Sequence, residues 1–265
     1  MGLAEDVAAF NWYHTIELPG GVVTPGMYDT RASAKSIPMP ESLSEKRCLD
    51  IGTSDGFWAF EMERRGAAEV VAIDTDPSAR DHTRNAQKEE PPGPSRETRA
   101  FTLAHSALGS RVIRKEISIY ELSPETVGTF DFVFLGSILV HLRDPVAALV
   151  RVRSVTDGEL LSYEAVSPML SLIHPRFPAA HFRGNRWNAW WLPNKACHRQ
   201  MIQASGFDLI AHGGVSYVKS PGTKFSMKAF LKRPLTTLLV SGPGIPQAWV
   251  RAKRGSNAPT GATLR

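Results

Sequence analysis

Residues 48–76 read CLDIGTSDGFWAFEMERRGAAEVVAIDTD, and the fold turns on how this stretch is parsed. RCLDI (47–51) and VVAID (70–74) are short apolar runs bounded by turn residues, as buried strands are. Between them FWAFEMERRG carries helical spacing, and the glycines Gly52 and Gly56 punctuate the passage from strand to helix. Strand, glycine turn, helix and strand together make one parallel-sheet unit. An acid stands near the end of each strand: Asp50 in the first, Asp74 closing the second.

The alternation continues outward from this unit. KEISI (115–119), FDFVFLGS (130–137) and ELLSYEA (159–165) read as strands three to five, with DLIAHG, SMKAFLKR and AWVRAKR as candidates for the last ones. SARDHTRNAQKE, ETRAFTLAHSALG, DPVAALVRVRSV and NKACHRQMIQASG have helical spacing. In the third of these, Asp144 is a natural N-cap, Pro145 suits the first helical position, and Gly158 is expected just past the last turn. The expected fold class is therefore α/β, a Rossmann-like, doubly wound, mostly parallel sheet covered on both faces. A Pro/Gly-punctuated lead, residues 1–40, is expected to form an N-terminal lid on a single domain spanning 41–255. An insert at 167–193 follows strand five, EEPPGPSRET marks a surface loop, and 256–265 reads as a disordered tail.

Open α/β sheets bind ligands beyond the carboxyl ends of their strands, where the first and fourth strands meet. Gly52 and Gly56 fall there, and glycine lets the backbone turn sharply and approach a ligand. Their spacing is G-x-x-x-G, without the G-x-G-x-x-G that seats a pyrophosphate on a helix N-terminus, which disfavours a dinucleotide. Asp74 lies 22 residues after Gly52, placed to accept hydrogen bonds from two ribose hydroxyls. An adenosine ligand without a pyrophosphate fits, and S-adenosylmethionine (SAM) is the obvious one.

DIGTSDGFWAFEMERRGAAEVVAID resembles the first motif and acidic loop of class I SAM-dependent methyltransferases, and FDFVFLGSILVHLRDPVAALVRVRSVTDGELLSYEA resembles their fourth strand, helix and fifth strand. The likeness runs from about Arg47 to Glu164. WYHTIELPGGVVTPG, ILVHLRDP and WWLPNKACHRQMIQASGF are similar to the tRNA wobble-uridine carboxymethyltransferase family and its smaller O-methyltransferase relatives. The resemblance implies that Asp50, Gly52, Ser54 and Gly56 line the methionine end of SAM, that Asp74 holds the ribose, and that Ser118 and Ile119 flank the adenine. Gly136, closing strand four, is placed with this set. The carboxymethyltransferases carry a tyrosine before the histidine that follows strand four; Val140 stands here instead and offers no hydrogen bond to an extra carboxylate, so ordinary SAM is the expected donor, with S-adenosylhomocysteine as product.

Methyl transfer to a hydroxyl needs the acceptor aligned with the sulfonium and its proton removed. His141, just beyond strand four, is the candidate base, with bracing of the following helix as its structural alternative. Glu164, ending strand five, is a candidate to orient it, to hold a substrate hydroxyl, or to share a divalent cation with it; two ligands do not make a metal site, and none is predicted. The insert brings Trp187, Trp190 and Trp191 together with His181, Arg183 and Asn185, and Trp12, Tyr13 and His14 of the lead are expected over the same mouth. Indole faces beside amides and guanidinium suit a sugar or another polyhydroxylated acceptor.

With 42% hydrophobic residues in 265, one sizeable core is expected. No apolar run reaches the roughly 18 residues of a bilayer crossing, and the N-terminal order is not that of a signal peptide, so a cytoplasmic enzyme without a membrane partner is expected. Cys48 and Cys197 have no metal or disulfide spacing, and Cys48 is expected inside strand one. The net charge of +5 is spread among acids, which favours a small-molecule acceptor over nucleic acid, a tRNA wobble uridine being the alternative. A non-catalytic SAM-binding module is the second alternative. Monomer and homodimer both remain open.

Overall fold

The computed structural model describes residues 2–75, 95–186, 188–219 and 244–256. The helical reading of SARDHTRNAQKE, the proline loop, the SMKAFLKR strand, Trp187 and residues 257–265 lie outside them.

One eight-stranded sheet organises the described chain. Its path runs β3 (Ile113–Glu116), β2 (Glu69–Asp74), β1 (Arg47–Ile51), β4 (Phe130–Gly136), β5 (Thr156–Ala165), β10 (Ile245–Arg254) and β8 (Phe207–His212), with β9 (Ser216–Val218) also paired to β10. The first five strands are mutually parallel; β10 runs antiparallel to β5 and β8. Because β1 is flanked by both β2 and β4, the chain reverses its winding there, and a crevice opens at the carboxyl edge.

Period-2 alternation explains the two covered faces. Cys48, Phe132 and Phe134 point into one core beneath α3 (Phe57–Arg64), α4 (Arg96–Leu108) and the N-terminal lead, whereas Leu49, Ile51, Val133 and Leu135 point into the other beneath α6 (Pro145–Ser154) and α8 (Lys195–Ala204). Phe57, Phe60 and Met62 of α3 are core residues. Trp58 lies at 4.4 Å over Phe134 while reaching the crevice, so it is both core and wall. α6 and α8 begin at side-chain caps: Asp144 Oδ1 accepts from Ala147 N at 2.9 Å with Pro145 at N1, and Asn194 Oδ1 accepts from Cys197 N at 2.7 Å.

Two local expectations change. Gly158 does not end α6, which stops at Ser154; it sits inside β5. Two residues of β5, Asp157 and Gly158, oppose the single Asp131 of β4, a bulge at which a Cβ on Gly158 would lie 2.0 Å from the Asp131 carbonyl. Strand three ends early as well. Ser118 accepts from Tyr120 N, and Glu121 accepts from Ser118 N, a reciprocal cap that turns Ile119–Glu121 into a 3-10 turn, after which the one-turn helix α5 (Pro124–Val127) leads into β4.

The lead forms two short helices, α1 (Leu3–Ala8) and α2 (Arg31–Ser36), joined by irregular chain that pairs with itself at His14–Tyr28 and Glu17–Val23 and with Lys219, just past β9, at Asp29. After β5, α7 (Pro168–Ile173) and a hairpin of β6 (Ala180–Arg186) and β7 (Ala189–Pro193) make up the insert, a two-stranded sheet of its own.

Candidate functional site

The carboxyl edge of the sheet opens into a cavity of about 1090 Å³. On one side stands the turn after β1. Gly52 N and Thr53 N both donate to Ile73 O at 2.9 and 3.0 Å, and Ser54 N donates to Asp74 Oδ2 at 2.8 Å, so the turn is strapped to the end of β2. Gly52 has φ +77°, a conformation that strains any other residue, and a Cβ there would come within 2.1 Å of the Ile138 side chain, which would have to move aside. Gly56 begins α3 at φ +96° against Phe60 and Phe101; it shapes the turn and does not line the cavity.

Two buried acids face this side of the cavity. Asp74 accepts from Thr75 N at 2.9 Å as well as from Ser54 N. Asp50 is fully buried, its Oδ2 has no partner, and desolvation pushes its carboxyl up to about 7. A buried carboxyl short of a partner is costly, and a ligand ammonium would supply one. Ser118 and Ile119 complete this side of the wall, with the Ser118 hydroxyl committed to its cap.

A third acid, Asp55, carries the lead. Its Oδ2 accepts from Tyr13 N and His14 N, both at 2.8 Å, and its Oδ1 meets His14 Nδ1 at 2.5 Å. This fixes Tyr13 and His14 in the cavity wall beside the glycine turn. Trp12 also touches the cavity, but its indole is buried and Nε1 donates to Val7 O at 2.9 Å, so packing dominates its environment. Asp55 escaped the sequence reading, which named Ser54 and Gly56 on either side of it; an acid at a helix start, with no cation near in sequence, was the available signal.

The opposite side is built from β4, β5 and the insert. A Cβ on Gly136 would meet the Phe134 ring at 2.7 Å, so β4 ends in a residue that leaves the wall open. The next turn, Leu139–His141, is held from behind by Glu164, which accepts from Ile138 N at 3.0 Å and Leu139 N at 3.2 Å. Glu164 is 0% exposed, and burial holds its carboxyl up to about 8. It is not part of the cavity wall, so sharing a cation with His141 or touching a substrate hydroxyl is not open to it. Among the described residues no three His, Cys, Asp or Glu side chains converge as a metal site would require.

His141 lies in the wall, and its Nδ1 donates to the Asn188 carbonyl. That assigns the proton to Nδ1 and makes Nε2 the basic nitrogen of the ring. Asn188, at φ +58°, belongs to the β6–β7 turn, which docks on the segment after β4: the Arg143 guanidinium lies 4.7 Å from the Trp190 ring, and Trp191 Nε1 donates to Arg143 O at 3.1 Å. Asn185 and Trp190 join the wall. Trp191 packs against Phe182 outside it, and His181 and Arg183 border a separate shallow hollow on the outer side of the hairpin. Val140 is buried and lines the cavity. Gln247 of β10, donating to Ser137 Oγ, and Tyr163 of β5, bonded to Ser216 Oγ at 3.0 Å, are wall residues with no signal in the sequence.

Residues 30–213 match the family model described as a methyltransferase domain. The chain belongs to that family. Solved structures agree with it at the level of fold: a SAM-dependent methyltransferase from Mesorhizobium loti (13% identity, 85% of this chain and 97% of that one, TM-score 0.51); the N-terminal domain of EvdMO1 with S-adenosylhomocysteine bound (13%, 95% and 94%, TM-score 0.56); and the [4+2]-cyclase SpnF (15%, 96% and 93%, TM-score 0.57). The EvdMO1 domain has also been solved in the presence of S-adenosylhomocysteine and D-fucose. No protein of curated function matches the chain. This methyltransferase is SAM-dependent and has the class I fold, and the acids around the glycine turn are chemically suited to the donor: Asp50 lacks a partner that the methionine ammonium would supply, and Asp74 is an acid closing β2 that could accept from a ribose diol.

Proposed function

We propose that this methyltransferase transfers the methyl group to a hydroxyl of a small polyhydroxylated acceptor, a sugar or a natural-product intermediate, with His141 as general base. The observation carrying the proposal is one continuous cavity whose walls hold Asp50 and Asp74 on one side and His141, Asn185 and Trp190 on the other. At about 1090 Å³ it exceeds the roughly 300–1,000 Å³ typical of a single-ligand pocket, which leaves room for donor and acceptor together.

SAM supplies a methyl group already activated on a sulfonium. The protein's task is alignment and removal of one proton. Asp74 would hold the ribose hydroxyls, Asp50 the ammonium, and the lead fixed by Asp55 would exclude water from the methionine end. On the acceptor side, Trp190 offers a flat apolar face and Asn185 an amide, a pairing that suits the C–H face and hydroxyls of a sugar. As the methyl leaves the donor sulfur, whose bond to it breaks to give S-adenosylhomocysteine, and joins the acceptor oxygen, the hydroxyl proton would pass to His141 Nε2, and the Asn188 carbonyl, accepting from the Nδ1–H, would steady the imidazolium. The D-fucose used with the EvdMO1 domain supports a sugar as the first acceptor class to try.

Incubation with methyl-labelled SAM against metabolite and tRNA fractions tests the reading. Label in a small hydroxylated product supports it; label entering tRNA alone contradicts it and favours the wobble-uridine alternative.

A further inference from the structure

The four most exposed large apolar side chains among the described residues lie within eleven positions of the insert: Leu172 (69%), Ile173 (59%), Phe177 (72%) and Phe182 (65%). None belongs to the cavity wall. Their exposure does not come from a slack loop. The buried Asn194 side chain donates to His174 O at 2.8 Å and Phe177 O at 2.9 Å and accepts from Ala179 N at 3.2 Å, which pins the segment carrying Phe177 to the start of α8, while Leu172 and Ile173 lie at the end of α7 and Phe182 within β6. From Ala165 to Phe207 the sequence has no Asp or Glu, while Arg176, Arg183, Arg186, Lys195 and Arg199 are all cationic. Exposed apolar side chains on a segment whose charged residues are all of one sign make an unusual surface for a monomer.

We propose that this face of the insert docks on an anionic phospholipid surface, with Leu172, Ile173, Phe177 and Phe182 entering the headgroup–acyl boundary and Arg176 and Arg186 pairing with lipid phosphates. The departure from the sequence expectation of no membrane partner rests on these exposures. Apolar insertion and basic flanks are the two signals peripheral binding combines. Other occupants fit the charge and the side chains less well. A second copy using the same patch twofold would set these arginines against one another. RNA has little use for projecting leucine and isoleucine, since its bases are read by stacking and hydrogen bonds. No helix among the described residues is long and apolar enough to cross a membrane, so the mode is surface attachment.

Co-sedimentation of the full chain with vesicles of phosphatidylglycerol and phosphatidylcholine, against phosphatidylcholine alone, tests this. Binding is expected only to the anionic vesicles and weakens as salt rises. Arg176→Ala should weaken it about fivefold, and Phe177→Ser about tenfold or more, with S-adenosylhomocysteine affinity unchanged in both as proof of folding. Failure to bind either vesicle, or equal binding to neutral ones, overturns the proposal. So does a dimer broken by the same substitutions, or tRNA binding lost with them while vesicle binding persists. Methyl transfer to a small acceptor stands or falls separately, because neither variant residue lies in the cavity.

Discussion

The two sides of the cavity are built in different ways. The side proposed for the donor comes from nearby sequence: Asp50, Gly52, Ser54 and Asp74 lie within one βαβ unit, and every strap between them is a short hydrogen bond to the neighbouring strand. The side proposed for the acceptor is assembled from afar. His141 leans on Asn188, its turn leans on Glu164, and Ser137 leans on Gln247 of the last strand. Close-range geometry makes the donor side a stable feature of the fold, whereas the acceptor side can change with the insert while the sheet stays the same. One fold then serves many substrates, consistent with a structural neighbour named as a cyclase.

If the two sides are separable, substitutions on each should move different quantities. The largest effect belongs to the acceptor side: His141→Ala should lower turnover by about 10²- to 10⁴-fold, with donor affinity nearly unchanged, as steady-state rates and donor titration would show. On the donor side, Asp74→Ala removes charge-assisted hydrogen bonds of roughly 1.5–3 kcal/mol and should weaken donor binding about tenfold or more. Asp55→Ala tests whether the lead belongs with the donor side. Loss of three hydrogen bonds to Tyr13 and His14 should raise the Michaelis constant for SAM more than that for acceptor, and hydrogen exchange should speed in residues 12–16.

The smallest effect reads the buried acids directly. Glu164, held up to about 8, keeps in the folded protein a proton that the unfolded chain releases near 4.5. Its contribution to stability is therefore full below about 4.5 and is lost as pH rises through about 8. Asp50 acts in the same direction through about 7. The buried His198, depressed to about 3 by desolvation, acts oppositely: its contribution is present above 6.5 and lost as pH falls toward 3. Between pH 7 and 8, then, the residual decline belongs mainly to Glu164. Glu164→Gln should flatten it, a change of at most about 1.4 kcal/mol per pH unit, or about 2–4 °C in Tm, visible by thermal unfolding at stepped pH.

Legibility from sequence follows the same division. The parallel core was readable because RCLDI, VVAID and FDFVFLGS are short apolar runs punctuated by glycine, and the donor-side acids and glycines sit at the ends of those runs. Gly158 misled because a glycine after a helix and a glycine at a bulge look alike in one dimension; only the opposing Asp131 carbonyl tells them apart. Glu164 ends strand five as expected, but which way its side chain faces depends on the turn that follows strand four. Asp55, Gln247 and Tyr163 gain their places through partners 42, 110 and 53 residues away, pairings no local pattern announces.

Calorimetric titration of S-adenosylhomocysteine into the wild type, Asp74→Ala and His141→Ala tests the division most directly. Single-site binding to the wild type, at least about tenfold weaker binding to Asp74→Ala, and wild-type affinity in His141→Ala are expected. No heat with the wild type, or equal weakening in both variants, would contradict a donor seated between β1 and β2 apart from the acceptor wall.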